Sequence, residues 1–208
     1  GYELPVFTHL PIILGPDRAK LAKRHGAASL LEYQEMGYLP DAVENFLALL
    51  GWSFNDKDEI FSKDELIANF SVDRILKSPA IFNTEKLNWL NGVYIRNLSQ
   101  KKFSGYLEGA LNKIRADYPL SEKSIESMTP QYLQSIIPLI QERLKRISPE
   151  EIWDLFSFFF VKTPEYRVNT PIPKGLDIQN TQLALEKTLE SLHALDLFDE
   201  NSIENVMR

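Results

Sequence analysis

From Ala27 almost to the C-terminus, apolar residues return every three or four positions. That period is the signature of helices with one buried face, and it excludes a chain dominated by strands. Val43, Phe46, Leu47 and Leu50 form one such stripe, opened by Pro40 and closed by Gly51. Leu87, Leu90, Tyr94 and Leu98 mark a helix starting near Thr84, and Phe103 to Tyr118 another, ended by Pro119. Leu133, Ile136, Ile137, Ile140, Leu144 and Ile147 follow Thr129-Pro130, an N-cap with Pro at the first helical position; Pro138 is expected to kink this helix. Ser148-Pro149-Glu150-Glu151 is the clearest start signal, with capping-box spacing between Ser148 and Glu151, and it opens a helix carrying Trp153, Phe156, Phe159 and Phe160. Ser62 and Glu65 have the same spacing before Leu66, Ile67 and Phe70. Ala27 to Met36 is expected as a first helix stopped by Gly37, and Gln179 to Leu195 as the last, with Leu183, Leu185, Leu189 and Leu192 on its apolar face.

Residues 1–15 read differently. Pro5 and Pro11 bracket Val6 to Leu10, and Ile12-Ile13-Leu14 precedes Gly15-Pro16; short apolar runs between Pro and Gly suit buried strands. The fold class is therefore mainly α, with a short strand-containing start. Composition shifts near residue 99, from loops, tryptophans and strands to stacked helices, and a Pro-rich loop breaks the pattern again at 163–178.

The chain has 208 residues, 44% of them hydrophobic, enough for one large domain or two small ones. No cysteine is present, so disulfides, thiolate metal sites and a cysteine nucleophile are excluded. The net charge of −6 argues against a surface that is basic all round, but not against one basic face. The longest apolar run, Ile152 to Val161, is interrupted by Asp154 and falls short of the roughly 20 residues a membrane helix needs. Gly1 to Pro5 carries no basic region like that of a signal peptide. The first residue is not Met, so a chain cut at its start is expected.

Charge is most concentrated at Asp17-Arg18-Ala19-Lys20-Leu21-Ala22-Lys23-Arg24-His25-Gly26, where five of ten residues are Lys, Arg or His. Lys20 and Lys23, flanked by Arg18 and Arg24, can surround a polyanion: lysine gives a compact charge for phosphate, arginine a planar fork. A solvated basic loop has the same composition. His9 and His193 sit beside apolar residues and are read as structural, and Trp52, Trp89 and Trp153 as core rather than base-stacking platforms. Asp56 to Glu59 lacks the Gly and the spacing of a calcium loop and is read as a solvated turn; no metal site is expected. Arg143, Lys145 and Arg146 crowd one helix end, where they either complement the helix dipole or face RNA; Lys101, Lys102, Lys113 and Arg115 are further candidates.

Lys20-Leu21-Ala22-Lys23-Arg24 resembles the Lys-Met-Ser-Lys-Ser loop of class I aminoacyl-tRNA synthetases, in the Lys-Leu-Ser-Lys-Arg form of the bacterial-type glutamyl-tRNA synthetases. Pro5 to Pro11 is similar to the strand feeding that loop, and Gly37 to Ala42, Asn45 to Ser53 and Phe82 to Asn91 resemble later family segments. The resemblance is dense over 4–95. It implies a division into the end of a catalytic domain (1–30), a stem-contact region (31–98) and an anticodon-binding helical region (99–208). It further implies that Lys20 and Lys23 act on the phosphates of ATP, with Leu21, Ala22 and Arg24 completing the loop. Partners implied are ATP with Mg2+, L-glutamate and a glutamate-type tRNA, in a cytoplasmic monomer without membrane association. Ala22 stands where the family usually has Ser. The family's His-Ile-Gly-His signature is not present, so these residues alone are expected to be inactive. A stand-alone helical RNA-binding or adaptor protein, and a tRNA-modifying relative, are the competing readings.

Overall fold

A computed structural model describes residues 2–5, 7–22, 29–55, 57–117, 129–161 and 172–207. It is mainly helical. Nine α-helices occur among the described residues: α1 (Leu30–Glu35), α2 (Pro40–Leu49), α3 (Lys63–Asn69), α4 (Thr84–Asn97), α5 (Gln100–Asp117), α6 (Pro130–Arg143), α7 (Pro149–Phe160), α8 (Ile178–His193) and α9 (Glu200–Met207). Two short strands, β1 (Ile13–Leu14) and β2 (Ala80–Ile81), pair in parallel with Ile13 opposite Ala80. The chain forms two compact units, 1–162 and 163–208.

Local chemistry explains most helix boundaries. Ser62, Asn83, Thr129, Ser148 and Asp177 each accept a backbone N–H from the first turn of the helix they precede. Each such cap satisfies one of the donors a helix start leaves open. Pro40, Pro130 and Pro149 occupy first-turn positions, where no N–H is needed. Ser62 and Glu65 complete the expected capping box.

Two clusters of buried residues form the core of the first unit. One joins Leu39 and Ala42 to Ile95 of α4, Phe103, Leu107 and Ile114 of α5, Ile140 of α6, and Ile152, Phe156 and Phe160 of α7. The other gathers Tyr33, Tyr38, Val43, Phe46, Leu50, Phe82, Leu87 and Leu90, with Ile13 and Leu21 packed against it. Fully burying one such side chain contributes about 1.5–3 kcal/mol. Trp52 stacks with Phe54 and meets Phe61 and Phe70, and the Arg74 guanidinium lies 5.0 Å from the Phe54 ring centre.

Several expectations are corrected. The first helix begins at Leu30 rather than Ala27, because Ser29 and Glu32 form a capping box there; residues 23–28 lie outside the described set. Of the strands expected within 1–15, Ile13–Leu14 is the only one among the described residues. Leu4, Phe7 and Leu10 are exposed, with no strand among the described residues beside them. Trp52 is core, but Trp89 is 45% exposed, and Trp153 is half-buried against the first cluster. His9 and His193 are exposed rather than packed. Ser148 caps α7, but Glu151 does not reach back to it as a capping box would; its carboxylate binds Lys145 and Arg146 instead. Pro138 lies inside α6. In the second unit, α8 carries the expected stripe, yet Leu183, Leu185 and Leu189 are at least half exposed. A further helix, α9, follows α8 beyond the expected last one, and Asp199, accepting from Ser202 N–H, opens it. Tyr118, Pro119 and Asp56 lie outside the described residues.

Candidate functional site

The basic segment is carried on a tight hairpin. Arg18 N–H donates to Gly15 O at 2.9 Å, Gly15 N–H to Ala19 O at 2.8 Å, and Leu21 N–H to Ile13 O at 3.0 Å. Pro16, Asp17 and Arg18 are thus a three-residue loop. Pro16 sets the first turn position, Asp17 Oδ1 accepts from Ala19 N–H at 3.0 Å, and Arg18 closes the loop at φ 60°. That is the left-handed region, which costs a residue with a Cβ about 1–2 kcal/mol.

The returning strand alternates its faces. Leu21 turns inward onto the cluster of Tyr33, Tyr38, Phe46 and Phe82, while Lys20 and Ala22 are exposed. Leu21 is therefore the anchor, and Lys20 the group it displays. Lys23 and Arg24, with His25, lie outside the described residues. The strand pairing then connects the hairpin to the rest of the unit: Phe82 N–H donates to Leu14 O at 2.8 Å, immediately before the Asn83 cap of α4.

The second concentration of charge is the connection between α6 and α7. Arg143 Nη1 returns to Leu139 O at 3.2 Å, Lys145 is exposed, and Arg146 Nε pairs with Glu151 Oε2 at 3.0 Å. An open groove of about 560 Å³ runs past Arg143, Lys145 and Arg146, but Glu150, Glu151 and Asp154 line it too. It is a mixed groove, not a purely basic one. Lys101, Lys102, Lys113 and Arg115 are exposed on α5, with Arg115 bonded to Asn112 Oδ1 at 3.0 Å. No three His, Cys, Asp or Glu side chains gather as metal ligands among the described residues. Asp58, from the acidic turn, binds Asn55, and Glu59 pairs with Lys86 at 2.6 Å.

Sequence reasoning missed the buried amides that connect these parts. Asn45 and Asn91 are both wholly buried. Asn45 Oδ1 accepts from Phe61 N–H at 2.7 Å and lies 2.8 Å from the Tyr94 hydroxyl, pinning the 53–62 loop onto α2. Asn91 holds the turn at 37–39 and the carbonyl of Lys145. The only available signal was an uncharged polar residue set among apolar helical positions. Burial pushes the Tyr38 hydroxyl above the usual tyrosine range, with the nearby Arg146 guanidinium opposing it.

Known proteins match both parts of the chain. Residues 1–89 match the model of the class I tRNA synthetases (E and Q) catalytic domain, and residues 106–208 that of the anticodon binding domain. A glutamate–tRNA ligase of Dehalococcoides mccartyi is 41% identical over 208 residues, covering all of this chain and 42% of the relative. One from Moorella thermoacetica is 38% identical over 209 residues, again covering all of this chain and 41% of the relative. Among solved structures, a glutamate tRNA ligase from Elizabethkingia meningosepticum in complex with its amino acid superposes with a TM-score of 0.65 at 28% identity. It covers 99% of this chain and 42% of that one. The chain thus spans about two fifths of the length of the curated relatives it matches. With a hairpin offering an exposed lysine, a helical second half and both models matched in order, the chain belongs to the class I aminoacyl-tRNA synthetases of the glutamate and glutamine type.

Proposed function

We propose that these residues are part of a glutamate–tRNA ligase, which activates glutamate with ATP and transfers it to tRNA. The observation that carries this reading is the hairpin: Leu21 anchors it, and Lys20 stands in solvent just ahead of Lys23. As the glutamate carboxylate attacks the α-phosphate and pyrophosphate leaves, negative charge gathers on phosphate oxygens. Cations already in place stabilise that charge without reorganisation. Lys20 and Lys23 take this role, with Leu21, Ala22 and Arg24 shaping the loop. Mg2+ would arrive on the ATP phosphates, and Ala22 offers them no hydroxyl.

The proposed division assigns 1–30 to the end of the catalytic domain, 31–98 to stem contact and 99–208 to anticodon binding. Exposed cations of α5 and of the α6–α7 connection then face tRNA. No helix among the described residues is long and apolar enough to cross a membrane. We place the whole protein in the cytoplasm as a monomer.

The test is adenylate formation by the whole protein, comparing the unaltered loop with Lys23→Ala. Loss of one preplaced donor typically lowers such a rate by about 10²–10³-fold. An unchanged rate refutes the loop's role, and absence of glutamate charging by the unaltered whole protein refutes the function. The 208 residues alone should give no glutamate-dependent pyrophosphate exchange.

A further inference from the structure

One buried side chain joins the two charged regions. Asn91 lies on α4 with no exposed surface. Its Oδ1 accepts from Leu39 N–H at 2.8 Å, and its Nδ2 donates to Lys145 O at 2.6 Å and Gly37 O at 3.3 Å. Gly37 O also accepts from Ile147 N–H at 2.9 Å. Gly37 has φ +85°, and a Cβ there would collide with the Ile147 backbone. The 37–39 turn and the 145–147 connection therefore meet backbone to backbone, with α4 bridging them through a single carboxamide.

The turn faces two ways. On one side it holds the connection that carries Lys145 and Arg146. On the other, Tyr38 belongs to the cluster on which Leu21 seats, and its hydroxyl is bound to Asn88 Oδ1 at 2.5 Å. Leu21 in turn fixes Lys20. The path from cation to cation runs through the buried Asn91 and Tyr38 and the half-buried Leu21, and a supporting shell of this kind fixes the spacing of functional groups.

We infer that Asn91 is a positioning residue, whose carboxamide holds the Lys145–Arg146 connection at a fixed separation from the Lys20 hairpin. RNA bound at the connection is thereby aligned with ATP bound at the hairpin. The inference rests on the proposed function for what the two regions bind, but not for the joint itself.

The chain has no cysteine, so spin labels can be placed at Pro16→Cys and Glu142→Cys without competing thiols. A narrow distance distribution is expected with Asn91 in place. In Asn91→Leu, which keeps the volume and loses the bonds, the distribution should broaden at least about two-fold while unfolding stays cooperative. An unchanged width overturns the inference. Should Asn91→Leu fail to fold, hydrogen exchange in the unsubstituted chain decides. The Ile147 amide should be protected to within roughly ten-fold of the Leu90 amide, and exchange at the rate of an open loop overturns the joint.

In the whole protein, Asn91→Leu should lower kcat for tRNA charging per folded molecule by about 10–100-fold, with KM for ATP changed less than about three-fold. An unchanged kcat, or an equal rise in KM for ATP, overturns the positioning role. If the protein with Asn91 intact charges no tRNA, the proposed function fails instead, and the label and exchange results still judge the joint.

Discussion

Arg146 and Glu151 form the most enclosed ion pair among the described residues, with Nε 3.0 Å from Oε2 and the Glu151 side chain 12% exposed. Glu151 Oε1 also accepts Lys145 N–H at 2.7 Å and Arg146 N–H at 3.1 Å. One carboxylate thus gathers three N–H groups of the α6–α7 connection. Glu151→Ala should lower unfolding stability in urea by about 1.5–3 kcal/mol, the range for hydrogen bonds to a charged group. Glu151→Gln should cost less, because its amide oxygen still accepts a backbone N–H. Equal stability of all three proteins would mean that the connection is held by other contacts.

Arg18 is the only described residue other than glycine with positive φ. Arg18→Gly removes the Cβ from a left-handed position, a gain of about 1–2 kcal/mol, offset by about 0.5–1 kcal/mol of extra unfolded-state freedom. The hairpin should tighten, seen as slower exchange of the Gly15 and Leu21 amides that bridge it. Faster exchange would show that the Arg18 side chain holds the loop more than its backbone strains it.

Burial pushes Tyr94 up from 10.0 to about 12, with the nearby Asp41 charge adding to the effect. Its folded value lies above its unfolded one. The stabilisation from neutral Tyr94 is therefore complete below about pH 10 and lost as pH rises towards 12. Tyr94→Phe cannot ionise. It should be less stable than the unsubstituted chain at pH 7 by about 1 kcal/mol for the lost hydrogen bonds. The gap should close between pH 10 and 12 in paired denaturation series. A constant gap across that window would exclude Tyr94 as a source of alkaline instability.

Helix positions were largely legible because their causes are local. Ser62 with Glu65, Thr129 with Pro130 and Ser148 with Pro149 act within one turn, and the apolar stripe of α4 is a property of its own sequence. The charged run between Gly15 and Gly26 was legible as a basic loop, but the hairpin bonds that join Gly15 to Ala19 and Ile13 to Leu21 were not. At Ser148 a competing set of partners decides how far the capping box forms. Glu151 has the spacing for Ser148, yet a guanidinium and two amides in the preceding connection bind its carboxylate more strongly than one backbone N–H would.

The sequence by itself determined the mainly helical class, most helix starts, and the placing of Lys20 beside an apolar Leu21, since turn chemistry and periodicity act over a few residues. Only the tertiary structure decided that Asn91 reaches residues 52 and 54 positions away, that Gly37 must stay bare against Ile147, and that Trp89 is exposed while Trp52 is buried. A buried amide must find partners wherever the packed backbone presents them, and that is set by how α4 meets the 37–39 turn and the α6–α7 connection.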